Sequence, residues 1–143
     1  SDLFDKRTQK TYASSRLATR HSVAFESAYE RWYKNGTKTV PNDLQLTSLT
    51  MSTWFCDDGW IGFSSKSKSG LKLKLSTHGF THPDVARLAF MLNQRYCNGF
   101  NVYQDKNASY IAAANTPARL ILEDIVDCIP DCMKRKISFL NLP

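Results

Sequence analysis

The chain has 143 residues and a mass of 16.3 kDa, enough for one ordinary domain with its own core and short of two. Apolar residues at 42% and aromatics at 12% exclude a disordered tail, which could not offset its chain entropy. No apolar run approaches the roughly 20 residues that span a bilayer, and no secretory leader is expected at the start. The formal charge of +6 favours polyanions such as nucleic acid through counterion release and steering; an ordinary soluble surface carries the same excess.

Residues 6–21 (KRTQKTYASSRLATRH) read as a polar hairpin turning near Ser14-Ser15, with Lys6 and Lys10 on one strand face and Arg16 and Arg20 on another. Residues 22–35 follow as a helix with an apolar stripe of Phe25, Tyr29 and Trp32, stopped at Asn35-Gly36. A second helix is expected over 45–58, stopped by Gly59, then a strand over 60–65, a basic loop over 66–70 and a strand over 71–77. The last of these alternates Leu71, Leu73 and Leu75 with Lys72, Lys74 and Ser76, so leucines and polar residues should occupy opposite faces. Thr81 caps a helix running to Tyr96, with Pro83 in its first turn. Strands over 101–106 and 109–115 should turn at Asn107, Thr116 should cap a helix over 117–129, and Pro130 should break it.

The expected fold is therefore α+β: an αββαββα unit from residue 45 onward with a curved antiparallel sheet. Residues 1–44 look like the closing hairpin and helix of a second such unit, plus a linker. Cys56, Cys97, Cys128 and Cys132 show no CxxC pair and no zinc spacing with His21, His78 or His82, so reduced thiols of an intracellular protein are expected. Organelle, bacterial and phage settings all remain open.

The most informative segment is the helix that ends at Asp57-Asp58-Gly59. Ser48, Ser52 and Cys56 recur every four residues, a stripe of small side chains that lets another helix approach closely. Two carboxylates then arrive just as the chain turns into a strand. They read either as a simple helix stop or as hard oxygen ligands for a cation such as Mg²⁺.

MSTWFCDDG (51–59) resembles the nine-residue motif of the LAGLIDADG homing endonuclease family, with Asp58-Gly59 as its terminal acid and glycine. YKNGTKTVP (33–41), LTSLTMSTWFCDDG (46–59), LKLKLSTHGFTHPDV (71–85) and CMKRKI (132–137) follow the block order of the subgroup whose motif ends in tryptophan, an aromatic, two aspartates and glycine. The resemblance covers about residues 16–137. It implies a site-specific, Mg²⁺-dependent double-stranded DNA endonuclease of the intron- or intein-encoded kind. A non-catalytic nucleic-acid-binding protein of the same fold, such as an intron RNA maturase, is the alternative. It also implies a partner motif helix from an upstream half, another chain or a homodimer, because cleavage of both strands uses two acids and this chain carries one motif. No membrane partner is implied.

Carried over to these positions, Asp58 is the metal ligand, with Asp57 beside it. Lys136, or else Lys134, supplies the basic group near the end of the unit, and His78 is placed to organise water. For DNA contact the expected residues are Lys72, Lys74 and Ser76, Lys66 and Lys68 from the basic loop, Asn101, Tyr103 and Tyr110 from the second hairpin, and Lys6, Lys10, Arg16 and Arg20 from the first segment. A two-stranded ribbon fits a major groove, and alternation exposes every second side chain to it.

Overall fold

The structure, a computed structural model, describes residues 2–6, 9–13, 18, 22–64, 67–105 and 108–140. The chain divides into two compact units, Ser1–Glu30 and Arg31–Pro143.

In the first unit, β1 (Asp2–Asp5) pairs antiparallel with β2 (Lys10–Ala13). This pairing lies upstream of the expected hairpin turn at Ser14-Ser15, which is outside the described residues; Lys6 leaves β1 and Lys10 opens β2, so the two do not share one strand. Helix α1 (Val23–Trp32) begins here and runs across the unit boundary; it buries no residue, and Phe25 and Tyr29 stay more than half exposed. Of the expected apolar stripe only Trp32 is half-buried, with its ring near that of Phe80. The helix stops at Trp32 because the chain turns at once into a minimal hairpin, β3 (Tyr33–Lys34) with β4 (Thr37–Lys38). Asn35 and Gly36 make its turn with φ of 49° and 75°, the doubly left-handed geometry that Asn-Gly favours.

The second unit is the αββαββα arrangement. Helix α2 (Ser48–Asp58) leads into β5 (Gly59–Ser64) and β6 (Ser67–Ser76). Helix α3 (His82–Arg95) leads into β7 (Asn101–Asp105) and β8 (Ala108–Ala114), and α4 (Thr116–Ile125) closes it. The four strands form one antiparallel sheet in the order β5-β6-β8-β7. Lys66 and the turn at Asn107 lie outside the described residues, but Ser67–Gly70 belong to β6 and are not a loop. Backbone pairing with β5, through an irregularity at Phe63/Ser64, extends the strand where side chains give no apolar signal.

Alternation in β6 sorts as expected. Leu71, Leu73 and Leu75 are buried under the helices with Ile61, Ile111 and Ala113, while Lys72 is exposed and Lys74 half-exposed on the opposite face. Each fully buried leucine contributes roughly 1.5–3 kcal/mol. Residues 31–44, grouped with the first segment by sequence, join this core. Val40 is buried in it, Arg87 donates to the carbonyls of Val40 and Pro41, and Lys38 forms a bridge with Phe80.

The expected cap at Thr81 is present, and Thr47, not anticipated, caps α2; each side chain accepts a backbone N–H three residues on. The cap of α4 is Asn115, at φ 55°, not Thr116. That helix also stops at Ile125 and passes into short 3-10 turns at Val126–Cys128 and Asp131–Lys136.

Candidate functional site

Two surfaces of the second unit meet at the junction of α2 and β5. The first is the outer face of the sheet. The register places Trp60, Lys74, Ala112 and Asn101 in one cross-strand row, and Ser76, Tyr110 and Tyr103 in the next. Small side chains floor a trough of about 420 Å³, with Lys72, Lys74, Asn101, Tyr103 and Tyr110 around it. Trp60 is 53% exposed and Tyr103 47%. Lys72, Lys74, Ser76, Asn101, Tyr103 and Tyr110, all expected to touch DNA, lie on that face, and Lys68 belongs to β6. Ser76 shares the face, but its carbonyl is taken by the Trp54 indole N–H at 3.0 Å. Arg16 and Arg20 lie outside the described residues.

The second surface is a groove of about 550 Å³ along α2, lined at one end by Asp57, Asp58 and His78 and along its length by Leu49, Thr53 and Leu44. Asp57, Asp58 and His78 are exposed. Neither carboxylate is hydrogen-bonded or ion-paired with any described residue. The helix reaches its end without a spacer: a Cβ on Gly59 would stand 2.5 Å from the Phe55 carbonyl oxygen, which is why the acid pair is followed by glycine. Lys136 Nζ donates to the carbonyls of Phe55 at 3.1 Å and Gly59 at 2.9 Å, over the Phe55 ring. It neutralises the negative end of α2 beside Asp58. Lys134 instead pairs with Asp131 at 2.7 Å, well exposed, so of the two lysines only Lys136 touches this junction.

Lys38 lines the same groove, its ammonium 4.4 Å from the Phe80 ring centroid. Sequence reasoning missed it. The only signal was its place in the YKNGTKTVP block, and nothing local tells that the hairpin docks beside Phe80.

The small-residue stripe is not open. Ser48 Oγ donates to Asp124 at 2.8 Å and Ser52 Oγ to the Cys128 carbonyl at 2.8 Å, with Ser52 buried. The stripe admits α4 and the turn after it, elements of this same chain, instead of a partner helix. The side of α2 left uncovered carries Leu49, 67% exposed, and Thr53. At the start of α2, Asp124 also accepts from Arg95 at 2.8 Å and from the Tyr96 hydroxyl at 2.7 Å. Burial works against its charge, but the hydrogen bonds from Arg95, Tyr96 and Ser48 outweigh it and hold its carboxyl below the ordinary range. Burial and the bond to Asp124 push the Tyr96 hydroxyl up to about 12.

Among the described residues no three His, Cys, Asp or Glu side chains are grouped to hold a metal ion. Asp57 and Asp58 offer two carboxylates, the chemistry a hard cation takes. No helix among them is long and apolar enough to cross a membrane.

Comparison with known proteins agrees with this geometry. The homing endonuclease I-WcaI, solved bound to its DNA recognition sequence, shares the fold with a TM-score of 0.78 at 24% identity, over 96% of this chain and 62% of that one. The uncharacterized protein MJ1098 of Methanocaldococcus jannaschii is 33% identical over 96% of this chain and 54% of its own length. The cytochrome b mRNA maturase bI2 of Debaryomyces hansenii is 38% identical over 80% of this chain and 42% of its own. The chain thus spans about half, or less, of the curated relatives it matches. The profile of the LAGLIDADG DNA endonuclease family matches residues 2–117, and the chain belongs to that family.

Proposed function

We propose that this chain is the cleaving repeat of a site-specific double-stranded DNA endonuclease, intron- or intein-encoded, in which the sheet lies in a major groove and Asp58 serves the scissile phosphate. One observation carries the reading: the two acids at the end of α2 engage no described residue and stand at the start of the strand that opens the basic, aromatic sheet face. A carboxylate pair left without a partner at a helix C-terminus is poorly placed for stability, since the helix dipole and the neighbouring acid both oppose it. Its placement makes sense if a cation and phosphates complete it.

Asp58, with Asp57 beside it, would hold Mg²⁺ together with oxygens from the phosphate, from water and from a second motif acid. Bound there, the cation would lower the pKa of the attacking water and neutralise charge on the phosphate. Lys136 and Lys38 add positive charge near the acids, and His78 is positioned to orient water. The Trp54-Phe55-Cys56-Asp57-Asp58-Gly59 string supports the two-aspartate subgroup. Residues 1–44 are read as the closing hairpin and helix of a preceding repeat plus a linker, the linker packing on the following core at Val40, and 45–143 as a whole repeat, whose exposed Leu49 and Thr53 await the partner motif helix. The four cysteines, all free thiols, support an intracellular setting.

Identity to the Debaryomyces maturase favours one second reading, a nucleic-acid-binding protein that does not cut. The experiment is cleavage of a target duplex by the complete protein with Mg²⁺, against Asp58→Asn. Loss of cleavage with binding retained supports the proposal; full cleavage by Asp58→Asn removes the catalytic role. Binding without cleavage by the unmutated protein favours the second reading.

A further inference from the structure

Lys72 and Lys74 share a strand face but stand in different surroundings. Lys72 is opposite Gly62 on one neighbouring strand and Ala114 on the other, so nothing in its row holds its ammonium. It is exposed. Lys74 is half-covered, and its Nζ lies 3.8 Å from the centroid of the Tyr110 ring. Tyr110 is itself fixed. It faces Tyr103 across the β7–β8 ladder, and the two rings stack with centroids 5.6 Å apart and planes 19° from parallel. Among the described residues nothing in its row holds the Lys72 ammonium, whereas that of Lys74 rests over the Tyr110 ring, which Tyr103 backs by stacking.

That difference has a consequence for recognition. A phosphate accepts a positive charge from many directions, so a freely moving ammonium loses nothing there. A base edge must be met at one position, and a donor already held there loses less rotamer freedom on binding. Beside Lys74 the trough floor is Ala112, directly opposite it in the ladder. A base edge can approach the ammonium without displacing a side chain. The acceptor-rich edge in a major groove is that of guanine, O6 and N7, which lysine matches and which no other base presents.

We infer that Lys74 is a specificity-determining residue that reads guanine through O6 and N7, that Tyr110 is its positioning residue, and that Lys72 contacts phosphate. This rests on the reading of the sheet as a duplex interface. Trp60 and Asn101, in the same row as Lys74, bound the site on either side.

The test is selection of the full chain on a pool of duplexes with a randomised central segment. Titration of the selected duplex at several salt concentrations follows. The unmutated chain should select at least one G·C pair. Lys74→Ala should lose preference at that pair alone, by roughly 5- to 150-fold, and keep it elsewhere. Tyr110→Leu should relax the same position, and Tyr110→Phe, which keeps the ring, should restore it. Lys72→Ala should weaken all sequences alike and reduce the salt slope by about 0.9. Uniform weakening by Lys74→Ala, with the same loss of salt slope, would overturn the assignment by making Lys74 a phosphate contact. Salt-dependent duplex binding with no preferred G·C pair would overturn it while leaving the interface standing. No duplex binding by the unmutated chain would overturn both.

Discussion

The two ends of α2 carry acids in opposite circumstances. At its start, Asp124 reaches in from α4 and accepts hydrogen bonds from Ser48, Arg95 and Tyr96, tying three helices together. At its end, Asp57 and Asp58 face a groove and bond to no described residue. One carboxylate is satisfied and depressed in pKa, as expected of a group that stabilises the folded state. Among the described residues, nothing but the helix that carries them holds the others in place. Burial and pairing thus separate the acid that builds the fold from the acids available for chemistry.

The largest effect expected on stability follows from removing the satisfied acid. Asp124→Ala strands three donors in a half-buried site and should destabilise the chain by about 2–4 kcal/mol, measured by urea unfolding. The next distinguishes the two sides of α2. Ser52→Leu enlarges a buried contact with the turn at Cys128 and should cost roughly 1–3 kcal/mol. An equal cost for Leu49→Ser, on the uncovered side, would remove the distinction.

A smaller effect is read in alkali. The Tyr96 pKa is raised from 10.0 to about 12, so its contribution is fully present below pH 10 and is lost as pH rises through about 12. Unfolding midpoints should fall across that window, and Tyr96→Phe should flatten the fall. Ionisation of Tyr96 near 10, followed by ultraviolet absorbance, would mean that the Asp124 cluster is open.

Much of this was legible in the sequence, for physical reasons that can be named. Strict alternation in LKLKLST is a statement about two faces, and the faces sorted as written. Thr81, whose hydroxyl accepts the Asp84 N–H, gave one helix start, whereas the start expected at Thr116 is capped one residue earlier by Asn115. The acid pair before Gly59 was visible as a string, and the structure puts it in the lining of an open groove. What the string could not say was which helix the Ser48, Ser52 and Cys56 stripe would meet. Small residues permit close approach without choosing a partner, and α4 of the same chain took the place. Polar Ser67–Gly70 gave no apolar signal, so the pairing that made them strand was invisible. Lys38 joined the groove through a bridge to a residue 42 positions on, Phe80, a contact that no local pattern encodes.

The most direct measurement is the unfolding free energy of Asp58→Asn beside that of Asp124→Asn, both by urea titration of the full chain. Asp58→Asn should leave stability unchanged to within about 0.5 kcal/mol, as for a surface change that breaks no bond, while Asp124→Asn should lower it clearly. A loss of more than about 1 kcal/mol for Asp58→Asn would contradict the assignment, because it would make Asp58 a structural acid like the one at the other end of the helix.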